Sequence, residues 1–137
     1  MIADDSPGTE NDSPLQFRIG VIAVGDEILE GRTQERHGRS IARLLTPLGF
    51  EICWHMTVAD APGALSAVLR SPPAEVSTII VSGGLGPTED DRSRQEIAAA
   101  AGVPLEHDEH SWQQIQHYLE QRGVTPSPSN RRQAYRP

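Results

Sequence analysis

The chain has 137 residues, with 12 Lys plus Arg against 19 Asp plus Glu, a formal charge of -7, and 36% hydrophobic residues. This length suits a single globular domain, and the acidic balance argues against a nucleic-acid backbone as partner. Cys53 is the only cysteine, which leaves neither an internal disulfide nor a cysteine-based metal site. The start, Met1-Ile2-Ala3-Asp4-Asp5-Ser6-Pro7, lacks the basic onset and apolar run of a signal peptide, and no window approaches the roughly 18 apolar residues of a membrane helix. A cytoplasmic location without membrane contact is expected.

Residues 1–14 mix Asp4, Asp5, Glu10 and Asp12 with Ser, Pro and Gly and have almost nothing to bury, so they read as a disordered acidic tail. Residues 15–137 read as one α/β domain. Phe17, Ile19 and Val21 to Val24 form an apolar run ended by Gly25, as in a strand covered on both faces. After Thr33 the period changes: Ile41, Leu44, Leu45 and Leu48 give a helix with one apolar stripe that stops near Gly49. Phe50 to Thr57 alternates as a strand with one wetter face. Asp60 is placed to cap a short helix carrying Leu65, Val68 and Leu69. The β-branched run Ile79-Ile80-Val81 makes Val76 to Ser82 read as a central strand.

A glycine loop follows at residues 83–91, then a helix from Ser93 to Ala101, with Asp91 as a possible cap and Ser93 with Glu96 as a capping box. A turn at residues 102–104 leads to a helix from Asp108 to Gln121, whose stripe of Trp112, Ile115 and Leu119 closes at Gly123. Trp54 and Trp112 both read as core. Nothing after residue 124 suggests another strand. The alternation of strand and helix implies parallel pairing with right-handed crossovers, and ligands in such a sheet sit beyond the carboxyl ends of the strands. Helices outnumber the strands they cover, so the chain is expected to be part of a longer product.

Gly83-Gly84-Leu85-Gly86-Pro87-Thr88-Glu89-Asp90-Asp91 carries the strongest chemical signal. Missing side chains at Gly83, Gly84 and Gly86 let backbone amides approach an anion while the next helix points its N-terminus at it. A tight turn with helix caps is the competing explanation. Carboxylates beside a bound phosphate would repel it unless one caps the helix and another holds Mg²⁺ or a similar divalent cation. Asp90 and Asp91 are the candidate metal ligands, and Glu89 reads as facing water. Gly25-Asp26-Glu27-Ile28-Leu29-Glu30-Gly31 belongs to the same rim by parallel pairing, which makes Asp26 and Glu27 candidates for a shared metal or for ligand hydrogen bonds. His37 begins a helix beside the rim as a candidate substrate contact. Arg32 is free to pair with phosphate or with Glu30.

Together, Val24 to Gly31 and Ser82 to Asp91 resemble the molybdopterin-binding superfamily of molybdenum-cofactor biosynthesis, and within it the N-terminal domain of the competence/damage-inducible CinA family. Asn130, Gln133, Ala134 and Pro137 resemble a later motif of that family. The resemblance implies a three-layer α/β/α sandwich with a mostly parallel sheet, here incomplete at its C-terminal end, and assembly into dimers or trimers. It implies molybdopterin or a nucleotide as a phosphorylated ligand, and either divalent-metal-dependent hydrolysis of a pyrophosphate such as ADP-ribose, adenylylation of molybdopterin, or binding without catalysis. By position, Asp91 and Asp26 are its catalytic candidates, Asp90 and Asp91 its metal ligands, and Gly83, Gly84, Gly86, Pro87, Thr88, Glu27 and His37 its ligand contacts. Glu35-Arg36-His37 stands where the family has Asn-Thr-Asn, so altered selectivity or lost activity is expected. Arg132 replaces the lysine of the later motif.

Overall fold

The computed structural model describes residues 17–137, so the tail expected at residues 1–14 lies outside the described residues. Strand β1 (Arg18–Val24) is followed by one turn of helix, α1 (Asp26–Leu29), and by α2 (His37–Leu45), which runs on into a 3₁₀ turn at Thr46–Leu48. Then come β2 (Glu51–Val58), α3 (Ala64–Leu69), β3 (Thr78–Ser82) and α4 (Ser93–Ala101). The remainder is β4 (Glu106–His107), α5 (Glu109–Glu120), α6 (Pro128–Arg131), a 3₁₀ turn at Arg132–Ala134 and β5 (Tyr135–Arg136).

Both neighbours of β1 are parallel to it, in the order β2-β1-β3. The expected α/β fold with a parallel sheet flanked by helices is therefore present. A central strand loses water on both faces, and Ile19, Val21, Ile22, Ala23 and Val24 are all buried. Ile22 and Val24 pack with Val58 and Leu65, and Trp54, Val68, Leu69, Ile79, Val81 and Ile97 close this cluster from the margins. Val21 faces the opposite side and pairs in register with His55, whose ring lies against Gly38 of α2.

Several local expectations are corrected. Val76 to Ser82 does not make the central strand: β3 is an edge, and its residues are half-buried or exposed. β-Branching reports fitness for a pleated surface and carries no information on strand order. Asp60 does not cap α3, which begins at Ala64, beyond Pro62, with Gly63 as its cap residue. Its first amides go instead to Glu96 of α4, which accepts from Gly63 N–H at 2.8 Å and Ser66 N–H at 3.1 Å. Glu96 is thus occupied between helices, so the capping box with Ser93 does not form, and α4 starts without a side-chain cap. On the other side, Leu44 and Leu48 are each 70% exposed, so the α2 stripe is only partly covered.

The end of the chain does supply a strand. β5 pairs antiparallel with β4, and Asp108 N–H bonds Ala134 C=O at 2.9 Å, with Ala134 fully buried. Ser127 and Asn130 form a capping box that starts α6. A two-residue strand has too short a period to register in a sequence pattern. No residue of α5 is buried, so Trp112 is not a core residue.

The core is narrow, and Leu65 is its main contribution from the helices. Leu65→Ala should lower the free energy of unfolding by about 2–5 kcal/mol, the range for large-to-small core changes. Urea denaturation followed by far-UV circular dichroism would measure it, and a loss under about 0.5 kcal/mol would show that α3 does not seal the sheet.

Candidate functional site

β1 and β3 end side by side, and their following loops meet there. A Cβ on Gly83 would overlap the carbonyl oxygen of Val24, and one on Gly84 would lie 2.5 Å from Ser93 Oγ. Both glycines also adopt positive φ, 102° and 60°, where any side chain is strained. The close approach is locked by Ser93, itself buried: its hydroxyl donates to Gly83 C=O at 2.7 Å, and its N–H to Gly84 C=O at 3.1 Å.

The next two carbonyls are also committed. Arg94 donates through Nη1 to Leu85 C=O at 2.9 Å and through Nη2 to Gly86 C=O at 3.2 Å, while Gln133 Nε2 reaches Leu85 C=O at 3.3 Å. Four consecutive carbonyls, residues 83–86, therefore point at protein donors. Among the described residues, the N–H groups of Gly84 and Leu85 have no protein acceptor. A loop with its acceptors turned inward presents its donors, which is the polarity an anion requires.

Asp91 does not cap α4. It folds back on the loop, where Oδ2 accepts from Thr88 N–H at 2.9 Å and Thr88 Oγ1 at 2.5 Å, and a Cβ on Gly86 would clash with the same oxygen. Partial burial pushes the Asp91 carboxyl up, but the Thr88 hydroxyl and amide, the Gly86 amide and nearby Arg94 outweigh it and hold the group below the usual carboxylate range. Asp91 is therefore ionised wherever the fold is intact at neutral pH. Glu89 pairs with Arg132 at 3.2 Å on the exposed outer side, and Asp90 lies beside Asp60, Arg92 and Ser93 in a small recess.

On the β1 side, Asp26 and Asp60 bind each other's backbones: Asp26 N–H donates to Asp60 Oδ2 at 3.2 Å and Asp60 N–H to Asp26 Oδ1 at 3.1 Å. Burial raises the Asp60 carboxyl, and the charges of Asp26, Glu27 and Asp91 raise it further, against the lowering effect of the Asp26 amide. Asp26 and Asp91 thus act on one group, and the two loops share a rim. Among the described residues, however, no three His, Cys, Asp or Glu side chains converge to hold a metal. Glu27 belongs to a different recess, with Arg36 and His37, and Arg32 pairs with Glu30. His37 meets the end of β3, its Nδ1 lying 2.5 Å from Ser82 Oγ. Glu35 accepts from Gly38 N–H at 2.9 Å and lies 3.5 Å from His55 Nε2.

Ser82, Ser93, Arg94 and Asp60 were missed as parts of the site. Ser93 and Arg94 read as ordinary residues of a helix start, and only the return of α4 toward the loop reveals their work. Asp60 follows a strand whose end abuts β1, a signal that parallel pairing could have supplied.

A parallel sheet with a glycine loop and acidic loops at its carboxyl edge has the layout of the ligand-binding α/β domains, whose ligands sit beyond the carboxyl ends of the strands. Residues 20–135 match the family described as "Probable molybdopterin binding domain", and the chain belongs to that family. It is 38% identical over 114 residues to a competence-damage inducible protein of Bacillus subtilis (strain 168), covering 83% of this chain and 27% of that protein. A CinA-like protein of Synechococcus sp. (strain CC9311) is 38% identical over 119 residues, covering 87% of this chain and 28% of that one. The chain thus spans little more than a quarter of these relatives. Among solved structures, CinA from Thermoplasma acidophilum superposes with a TM-score of 0.77 at 29% identity, covering 90% of this chain and 72% of that one. The molybdopterin biosynthesis enzyme MoaB of Thermus thermophilus gives 0.57 at 27% identity over 61% of this chain and 54% of its own. Among the described residues, no helix is long and apolar enough to cross a membrane.

The Asp60 shift has a definite sign. A carboxyl whose folded pKa lies above its unfolded value penalises folding at neutral pH, and the penalty fades as pH falls through the raised value. Asp60→Asn keeps an acceptor for Asp26 N–H while removing the charge. Its melting temperature should equal or exceed that of the parent at pH 7, and the difference should shrink as the pH is lowered toward the ordinary carboxylate range. A variant less stable at pH 7 would show that the carboxylate is held by attraction.

Proposed function

We propose that the rim formed by residues 25–27 and 83–91 binds the phosphate groups of a nucleotide or pterin. The single observation that supports this reading is the loop's polarity: four carbonyls are tied to Ser93, Arg94 and Gln133, while the N–H groups of Gly84 and Leu85 have no protein acceptor among the described residues. Thr88 and Pro87 form the far wall of the loop, and Asp91 keeps it closed. His37, joined to Ser82, stands at the neighbouring strand end.

A second reading, hydrolysis of a nucleotide pyrophosphate such as ADP-ribose with a divalent cation, draws on the shared field of Asp26, Glu27, Asp60 and Asp91. The protein offers no closed cage of carboxylates among the described residues. Its donor set suits Mg²⁺, which takes one or two carboxylates and completes its shell with phosphate oxygens and water. Asp91 and Asp90 would hold the ion, which would supply charge neutralisation at the phosphates. In this reading Asp26 takes the proton of the attacking water, whose oxygen ends on phosphorus as the anhydride bond breaks to give two phosphate esters. Adenylylation of molybdopterin would use the same phosphate contacts. Assembly into dimers or trimers belongs to the same reading and is testable by analytical ultracentrifugation.

Isothermal titration calorimetry with inorganic pyrophosphate, AMP, ADP-ribose and molybdopterin, each with and without Mg²⁺, tests the binding reading. Gly84→Ala should weaken every phosphorylated ligand by about tenfold or more, about 1.4 kcal/mol. Equal affinity in parent and variant, or heat from no ligand, would remove the phosphate site. Asp26→Asn should abolish any release of AMP from ADP-ribose while leaving binding within about threefold.

A further inference from the structure

Four arginines of the fold are matched by carboxylates: Arg18 by Glu51, Arg32 by Glu30, Arg132 by Glu89 and Arg136 by Asp108. Arg36, Arg39 and Arg43 differ. They are exposed, they line one recess of about 370 Å³ with Gln34, Glu35 and Ser40, and none of them pairs with a carboxylate among the described residues. Glu35, the only acid in that lining, is taken by Gly38 N–H at 2.9 Å and by His55 Nε2 at 3.5 Å. In a chain with 19 acidic residues against 12 basic ones, a row of three unmatched cations is a local exception.

Its position on α2 makes the row costly. Residues three and four apart share a helix face, so Arg36, Arg39 and Arg43 stand in line over about 10 Å and repel one another. Arg36 immediately precedes α2 and Arg39 lies in its first turn, the end at which the helix dipole disfavours positive charge. That turn contains no acidic residue. An anionic segment laid along the row would relieve both the mutual repulsion and the conflict with the dipole.

The sequence of residues 1–16, which lie outside the described residues, has the matching chemistry: Asp4, Asp5, Glu10 and Asp12, with no Lys or Arg. The segment also joins the fold beside the row. Phe17 C=O accepts from Glu51 N–H at 3.1 Å, and the Phe17 ring lies 5.7 Å from that of Phe50, whose N–H donates to the carbonyl of Leu45 at the end of α2. Arg43 is two residues from that end. Asp12 precedes Phe17 by five residues and Asp4 by thirteen, extended spans of at most about 17 Å and about 45 Å, so the whole row is within reach. Leu44 and Leu48, both exposed at the same end of α2, offer an apolar margin suited to Leu15. We propose that the arginine row of α2 is a docking surface for an acidic peptide segment, and that its occupant is residues 1–16 of the same chain. Tethering sets the effective concentration at about the mM level, which lets individually weak ion pairs hold.

Paramagnetic relaxation in the full chain tests this. A nitroxide attached at Ser6→Cys, with Cys53→Ala to leave a single thiol, should broaden the amide signals of residues 36–48 at about 0.01 M salt. The broadening should vanish at about 1 M salt, because the screening length falls from about 30 Å to about 3 Å. At low salt it should also be lost in a variant with Arg39→Gln and Arg43→Gln, and in one with Asp4→Asn, Asp5→Asn, Glu10→Gln and Asp12→Asn. Both arginines are exposed, so the first variant should keep the parent circular dichroism spectrum. Signals of residues 36–48 that stay sharp in the labelled parent at low salt would overturn the inference, as would broadening indifferent to both sets of substitutions. Equal broadening in an unlabelled, isotope-enriched chain mixed with spin-labelled chain would also overturn it, because the occupant would then come from a second copy.

Discussion

Gly83 lies so near the carbonyl oxygen of Val24 that no side chain fits between them. That approach is set by parallel pairing of β1 and β3, which brings both strands to an end together, with Ala23 opposite Ser82. Ser93 then ties the first turn of α4 back to Gly83 and Gly84, so the helix start, the loop and the end of the central strand become one unit. If that contact opened, the carbonyls of Leu85 and Gly86 would leave Arg94. The shape of the rim therefore follows from a packing constraint at the edge of the sheet, and no single side chain supplies it.

How far this was legible depended on the distance over which each signal acts. The three strands, α2, α4 and α5 follow from apolar period and from glycine punctuation, and the structure places them within a few residues of expectation. Gly83 to Asp91 was legible as a loop built for close backbone approach, because glycine at three of four positions has few other uses. What the sequence concealed was the partner of each polar residue. Asp91, Ser93 and Glu96 each suit a local cap, and each is instead drawn away: Asp91 to Thr88, Ser93 to Gly83, Glu96 to the start of α3. Local hydrogen-bond preference and tertiary demand compete on nearly equal terms for such groups. Asp60 failed as a cap for the same reason, since Asp26 offered its backbone across the sheet edge.

The stretch Glu35-Arg36-His37 departs from the family's pattern, and its residues have work of their own. Glu35 holds the first turn of α2 and the His55 ring, and His37 reaches Ser82 at the foot of the glycine loop. The departure therefore does not leave the rim unsupported. It places an acid, a base and an imidazole next to Glu27 in one recess.

The same arrangement poses an electrostatic problem whose solution defines the ligand. Burial raises the Asp60 carboxyl and the charges of Asp26, Glu27 and Asp91 raise it further, while Asp91 stays ionised through Thr88, Gly86 and Arg94. On the phosphate-binding reading, an incoming phosphate meets attraction from the free amides of Gly84 and Leu85 within a hydrogen bond's reach and repulsion from carboxylates at longer range. Amide contacts act at close quarters and fade quickly, whereas unscreened charge repulsion persists over several ångströms. A monoanion seated deep on the loop can satisfy both terms. A pyrophosphate, with more charge spread nearer the β1 side, needs added positive charge there or a strong anchor elsewhere. On the phosphate-binding reading, a cation is thus required in proportion to the charge that the ligand brings to the β1 side.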